Sequence, residues 1–159
     1  MKLYIAGPDV FRADAPAWAE GVRALCRDAG HEALIPLDGA ETGAEGIYRN
    51  NLRLIEAADS VLANLNPFRG AEPDSGTCVE VGYALARGKT VIGYADSLLP
   101  LRQRLGAGGP GADGRYRDAD GRVVEDFSLP LNLMLAVPVR LVHGGIDAAL
   151  RALALMQQS

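Results

Sequence analysis

Residues Ser60–Tyr94, SVLANLNPFRGAEPDSGTCVEVGYALARGKTVIGY, read as strand, loop, helix and strand. Ser60–Leu65 is an apolar run of strand length, and Asn66–Asp74 is crowded with residues that break regular structure. Ser75–Arg87 then carries apolar residues at helical spacing. Val79, Val81, Ala84 and Leu85 mark the face expected to pack on a sheet, and Gly88 ends the helix. Thr90–Tyr94 is a second apolar run. Two strands joined through one helix lie parallel, and parallel sheets are covered on both faces.

The pattern repeats on either side. Leu3–Ala6 is a short strand that stops at Gly7 and Pro8. Asp14–Ala29 places Trp18, Val22, Leu25 and Cys26 at helical spacing, with Asp14 as its cap, Pro16 in its first turn and Gly30 at its end. Glu32–Ile35 is a strand ended by Pro36. Ala44–Ala57 is a helix with Ile47, Leu52, Leu54 and Ile55 turned partly inward. Beyond the opening unit come a short helix over Leu98–Leu105 and a Gly/Asp/Arg-rich loop, Gly106–Asp120, expected to be mobile. A helical turn over Pro130–Leu135, a strand over Val137–Val142 and a helix over Gly145–Gln158 follow. The order predicts an α/β three-layer sandwich with a five-stranded parallel sheet, in a single domain spanning residues 1–159.

Composition narrows the function. The chain has 159 residues, enough for one domain with a substantial core. Its net charge is −4 and it has no basic run, which argues against a nucleic-acid polymer and leaves single nucleosides as ligands. No stretch approaches the roughly 18 apolar residues of a membrane span. The opening MKLYIAGPDVF does not read as a signal peptide, so a cytoplasmic location is expected. Cys26 and Cys78 supply neither a disulfide framework nor a metal cluster; both read as packing residues, and no metal is expected. No G-x-G-x-x-G or Walker motif occurs, so neither a dinucleotide nor a triphosphate is indicated.

In open parallel sheets ligands bind beyond the carboxyl ends of the strands. Three loops are expected there: Gly7–Phe11, Asn66–Gly76 and the segment from Asp96 onward. Glu80 lies in the first turns of its helix, where the macrodipole favours an anion. Asp74 lies in the loop feeding that helix. Two carboxylates at one mouth suit glycosyl transfer, in which one attacks carbon and the other assists the leaving group. The same pattern also fits a helix end that simply carries acids. Tyr4 and Phe11 are core aromatics or ligand contacts; Asp9 and Asp96 are pocket or turn residues; Arg69 is a loop cation or a lid contact. Asn132 is a helix cap or a ligand contact. The apolar segment Leu131–Leu135, if exposed on a monomer, calls for a second subunit to cover it.

Four blocks resemble the nucleoside 2-deoxyribosyltransferases: YIAGPDVF (Tyr4–Phe11), Asn51–Lys89, the VIGY strand after it, and EDFSLPLNLML (Glu125–Leu135). The combination PDxGTxxExGxA with a downstream PxNLML is specific, and PFRGxEPDxGT looks most like the branch with the trypanosomatid-type enzymes. The resemblance implies a flavodoxin-like fold, no cofactor, and a homodimer or higher homo-oligomer with shared active sites. It implies transfer of 2-deoxyribose between bases, with deoxynucleosides and free nucleobases as partners. Residue by residue, Glu80 matches the family's nucleophile and Asp74 the carboxylate that binds sugar or base beside it. Asn132, with Met134 in the same block, matches the asparagine that reaches a neighbouring subunit's site to hold the sugar 5′-hydroxyl. Gly7 and Phe11 match the glycine and aromatic where a base stacks; Asp9 in that loop and Gly76 in the PDSGT turn complete the expected substrate-binding set. Asn51 stands where the lactobacillus type has an aspartate given a base-contacting or proton-donating role, and the ending Met156-Gln157-Gln158-Ser159 lacks that type's terminal tyrosine.

Two other readings remain. One is an N-glycoside hydrolase of (deoxy)nucleosides or nucleoside 5′-monophosphates, with water in place of the acceptor base. Asp9 in the first loop would repel a phosphate, although Ser75 and Arg12 are available to bind one. The other is a flavodoxin-like nucleotide-sensing or scaffold module without catalysis.

Overall fold

A computed structural model describes residues 1–158. In chain order the first half holds β1 (Lys2–Ala6), α1 (Ala15–Asp28), β2 (Glu32–Leu34), α2 (Ala44–Ala57), β3 (Ser60–Asn64), α3 (Ser75–Ala86) and β4 (Thr90–Ala95). The second half holds α4 (Leu101–Arg104), β5 (Tyr116–Arg117), β6 (Val123–Val124), α5 (Leu133–Ala136), β7 (Arg140–His143) and α6 (Ile146–Met156). Five strands form one sheet in the order β2-β1-β3-β4-β7, each neighbouring pair parallel. This is the doubly wound, flavodoxin-like order, whose winding reverses between β1 and β3.

β1 shows why the sheet needs two covers. Side chains alternate between faces along a strand, yet β1 is apolar at both parities. Leu3 and Ile5 pack on one face with Val22 and Cys26 of α1 and Ala149 and Leu153 of α6. Tyr4 and Ala6 pack on the other with Ile55 of α2 and Val81 and Ala84 of α3. Fully burying a side chain such as Ile5 is worth roughly 1.5–3 kcal/mol, so both helical layers are needed to stabilise the strand.

The structure moves several expected features, each for a local reason. Val79 is 61% exposed. It precedes Val81 by two residues, about 200° around the helix, and so cannot share the packing face of Val81 and Ala84. Pro100 keeps Leu99 out of helical geometry, so α4 begins at Leu101. Asp14 occupies the N-cap position of α1, but its carboxylate makes no cap bond and pairs instead with Arg12 at 2.9 Å. The strand expected from Val137 starts at Arg140. Val137 and Val139 donate their N–H groups back to Leu133 and Leu135, at 3.1 and 3.2 Å, and Pro138 has no N–H to give. The segment Gly106–Asp120 is not all loop: β5 lies in it and pairs antiparallel with β6, while the Arg102 guanidinium sits 4.7 Å from the Tyr116 ring centre. Leu131 is buried in the chain's own core and Leu135 packs against it; of that segment only Met134 stands out, 73% exposed. Among the described residues no helix is long and apolar enough to cross a membrane.

Candidate active site

A hollow of 440 Å³ opens where the winding reverses. Gly7, Val10 and Phe11 after β1, and Asp74, Gly76, Thr77 and Glu80 at the start of α3, form two of its sides. Leu37 and Gly39 after β2 and Ile47 and Asn51 of α2 form the others. The loop after β2 therefore takes the place expected of the segment from Asp96. An asparagine ladder fixes the loops. Asn64 donates to Asp9 at 2.7 Å and accepts from the Asn66 side chain at 2.9 Å, and Asn66 accepts from the Asp96 N–H at 2.9 Å. Gly7 fits by its lack of a side chain: a Cβ there would lie 2.8 Å from Asn64 Cβ.

Glu80 lies at the inner end of the hollow. Its Oε1 accepts a hydrogen bond from Tyr4 Oη at 2.7 Å and one from Asn51 Nδ2 at 3.1 Å. Both fall on the same oxygen, and no hydrogen bond from the described residues falls on Oε2. Burial raises the carboxyl pKa from 4.5 to about 7; the bonds from Tyr4 and Asn51 lower it, and the nearby Asp74 raises it. Burial outweighs the position near the helix start, so at neutral pH the carboxyl is divided between acid and carboxylate rather than fully ionised. Tyr4 is raised well above the ordinary phenol range by its own burial and by Glu80, so it stays protonated and donates.

Two outcomes follow from this balance. Tyr4→Phe removes a bond that favours the carboxylate. The rising limb of kcat/KM against pH is expected to move up by about one pH unit, and an unmoved limb would show that the hydroxyl does not tune Glu80. The second concerns stability. Below pH 4.5 Glu80 is neutral whether folded or unfolded, whereas between 4.5 and about 7 the folded state increasingly resists the charge, so stability is lost as pH rises. Glu80→Gln removes that loss. Urea melts should show equal stability near pH 4 and a more stable variant at pH 8, by roughly 3 kcal/mol.

Asp74 has a structural role as well. It is the N-cap of α3, with Oδ2 accepting from Thr77 N at 2.9 Å and Thr77 Oγ1 at 3.1 Å. It keeps a place on the hollow wall. Beside Glu80, Asn51 Oδ1 is buried without a hydrogen-bond partner among the described residues, and it suits a donor on a ligand.

The hollow thus brings together Glu80, Asp74, Gly7, Phe11, Asn51 and Gly76. Asp9 stands behind Phe11, in a smaller hollow with Phe68. Asn132 and Met134 lie in a separate hollow of 610 Å³, with Cys78 and Val81. Asn132 caps α5 through Met134 N at 3.0 Å and donates to Glu125 Oε1 at 2.8 Å. Glu125 also accepts from Leu133 N at 3.1 Å, and it holds the turn together. Sequence reading placed Tyr4 ambiguously and did not single out Glu125. The signal for Tyr4 was the one hydroxyl in an otherwise apolar strand. Ser159, the last residue of the ending that lacks the terminal tyrosine, lies outside the described residues. Among the described residues no group of three or more His, Cys, Asp or Glu is placed to hold a metal ion.

Comparisons with known proteins agree with the geometry. A family model described as nucleoside 2-deoxyribosyltransferase matches residues 3–134. A 2-desoxiribosyltransferase from Leishmania mexicana superposes with a TM-score of 0.82 at 37% identity, covering 96% of this chain and 97% of that one. An uncharacterized protein of Schizosaccharomyces pombe is 31% identical over 168 residues, 89% of this chain and 78% of that protein. A CMP N-glycosidase from Clostridium botulinum shares the fold alone, with a TM-score of 0.53 at 14% identity, covering 98% of this chain and 99% of that one.

Proposed function

The chain belongs to the nucleoside 2-deoxyribosyltransferase family, and from that membership we propose that it exchanges the bases of 2′-deoxyribonucleosides through a covalent intermediate on Glu80. The family consists of pentosyl-transferring enzymes. The observation that carries the reading is the Glu80 carboxyl, held through Oε1 by Tyr4 and Asn51 at the inner end of a hollow of nucleoside size.

Oε2 of the ionised carboxyl attacks C1′ from the side opposite the base. The C1′–N bond breaks with its electron pair going to the base, through an oxocarbenium-like transition state. The leaving base takes a proton from Asp74 or from water. A second base then attacks C1′ through a ring nitrogen, gives up that nitrogen's proton to Asp74 or to water, and displaces Glu80, with net retention. Asn51 Oδ1 accepts from a donor on the substrate. A 2′-hydroxyl destabilises the positive charge at C1′, so deoxy substrates react faster. No cofactor enters this scheme.

The test is to incubate the protein with deoxyinosine, with and without adenine, and to separate the products. Deoxyadenosine formed only when adenine is present supports transfer. Hypoxanthine released at the same rate in both, with no deoxyadenosine, overturns it in favour of hydrolysis. The site also predicts the form of substrate. Glu41, Asp74 and Glu80 all line the hollow; Glu41 is offset by Arg53 at 3.0 Å, and Asp74 with the ionised form of Glu80 opposes a phosphate. The kcat/KM for deoxyguanosine is expected to exceed that for its 5′-monophosphate, about tenfold for an added like-charge repulsion of roughly 1.4 kcal/mol. The reverse order would point to a monophosphate hydrolase.

A further inference from the structure

We propose that Arg69 is a positioning residue of the base-binding wall: laid across Phe68 and Phe11, its guanidinium holds the Phe11 ring at the angle on which a nucleobase stacks. The proposal rests on the reading that the Glu80 hollow takes a nucleoside.

Phe11 is 60% exposed and ends a short turn, Pro8–Phe11. It borders the Glu80 hollow and also the smaller hollow that contains Phe68. A ring so exposed turns freely unless something outside the pocket holds it. Phe68 stacks on it at 5.6 Å between ring centres, with 15° between the planes. The Arg69 guanidinium carbon lies 4.7 Å from the Phe68 ring centre and 5.3 Å from that of Phe11, within range for a cation–π contact with both.

Three further facts support a built arrangement. Arg69 has a φ of 52°, in the left-handed region, shared among the described non-glycine residues only by Ser128. Glycine adopts that region more readily, so what the position gains from arginine is its side chain. No ion pair or hydrogen bond involves the Arg69 side chain among the described residues, whereas Arg12, next to Phe11 in the chain, is engaged by Asp14. The rings are therefore its partners. The loop beneath is fixed: Phe68 N donates to Glu72 O at 2.9 Å, and Arg104 Nη1 donates to Ala71 O at 3.1 Å.

Stacking on Phe11 is the same before and during bond breaking. A looser ring therefore weakens base binding without slowing chemistry, which raises KM and leaves kcat unchanged. The test measures adenine binding by calorimetry in the inert Glu80→Ala background, with Arg69 intact or changed to Ala, Gly or Lys. The expected result is affinity lower by about fivefold for Ala and Gly, with Lys between them and arginine. In the active protein the KM for adenine should rise by the same factor, with kcat within about twofold. Adenine affinity within twofold of the parent in Arg69→Ala overturns the proposal, as does full affinity in Arg69→Gly or no adenine binding by the parent. The underlying reading fails separately. If wild-type protein makes no deoxyadenosine but adenine binding still depends on Arg69, transfer falls and the wall stands. If transfer proceeds and adenine binding ignores Arg69, the wall falls and transfer stands.

Discussion

Glu80→Ala is expected to lower kcat/KM for base exchange by at least about a thousandfold, roughly 4 kcal/mol of barrier. The carboxyl is held by two donors from other elements, Tyr4 of β1 and Asn51 of α2, both on Oε1, which leaves Oε2 without a bond from the described residues. Asp74 has one oxygen committed to capping α3, and Glu41 is paired with Arg53 at 3.0 Å. No other side chain is set to replace it as nucleophile. The loss should also be specific to chemistry. Removing Glu80 relieves a buried acid rather than opening the core, so the variant should fold and still bind base. Intact-mass analysis after a deoxynucleoside soak adds a direct readout, a deoxyribosyl adduct on the wild type alone. An exchange rate within about tenfold of wild type, roughly 1.4 kcal/mol, would exclude Glu80 as nucleophile.

The fold was legible because its determinants are local. Apolar runs such as Leu3–Ala6 and Ser60–Leu65 are too short for helices, and glycines such as Gly30 and Gly88 stop the helices between them. The parts that were not legible depend on contacts far apart in the chain. β5 and β6 have two residues each, too few to show a period. The start of β7 was set by bonds back into α5 and by Pro138. For the site, the loops expected at the strand ends carried Gly7, Phe11, Asp74 and Gly76 towards Glu80, and the family resemblance added Asn51; the six line one hollow. The loop with Leu37 and Gly39 has no motif and joins the hollow only because β2 sits beside β1. The protonation of Glu80 is hidden from the sequence for a similar reason. Helix position favours the anion and is visible in sequence, whereas burial opposes it and is a property of the folded molecule.

Mixing inactive Glu80→Ala protein with inactive Asn132→Ala protein is expected to restore activity, to about a quarter of the wild-type value if dimers exchange at random. Half of such dimers are hybrids, and each hybrid has one site with both residues intact. The expectation combines the family resemblance with the shape of the surface. Within one chain Asn132 and Glu80 line separate hollows, so Asn132 reaches a Glu80 only if a second copy docks. α3 is apolar on nearly all sides, with Val79, Gly82 and Ala86 exposed on its outer face. A helix of that kind normally lies buried. Met134 and Val137 are likewise exposed, and covering such surface yields about 25 cal/mol per Å². Glu125 takes the Asn132 Nδ2 and the Leu133 N–H, which fixes the turn that carries the asparagine. Asn132→Ala also removes the cap of α5, a loss of about 1 kcal/mol, too small to unfold the chain. Loss of activity in that variant therefore reports on the site. Subunit exchange should be followed independently, with differently tagged chains. Exchange without recovery would mean that Asn132 serves its own chain, as cap and as partner of Glu125, and that each active site is complete within one subunit.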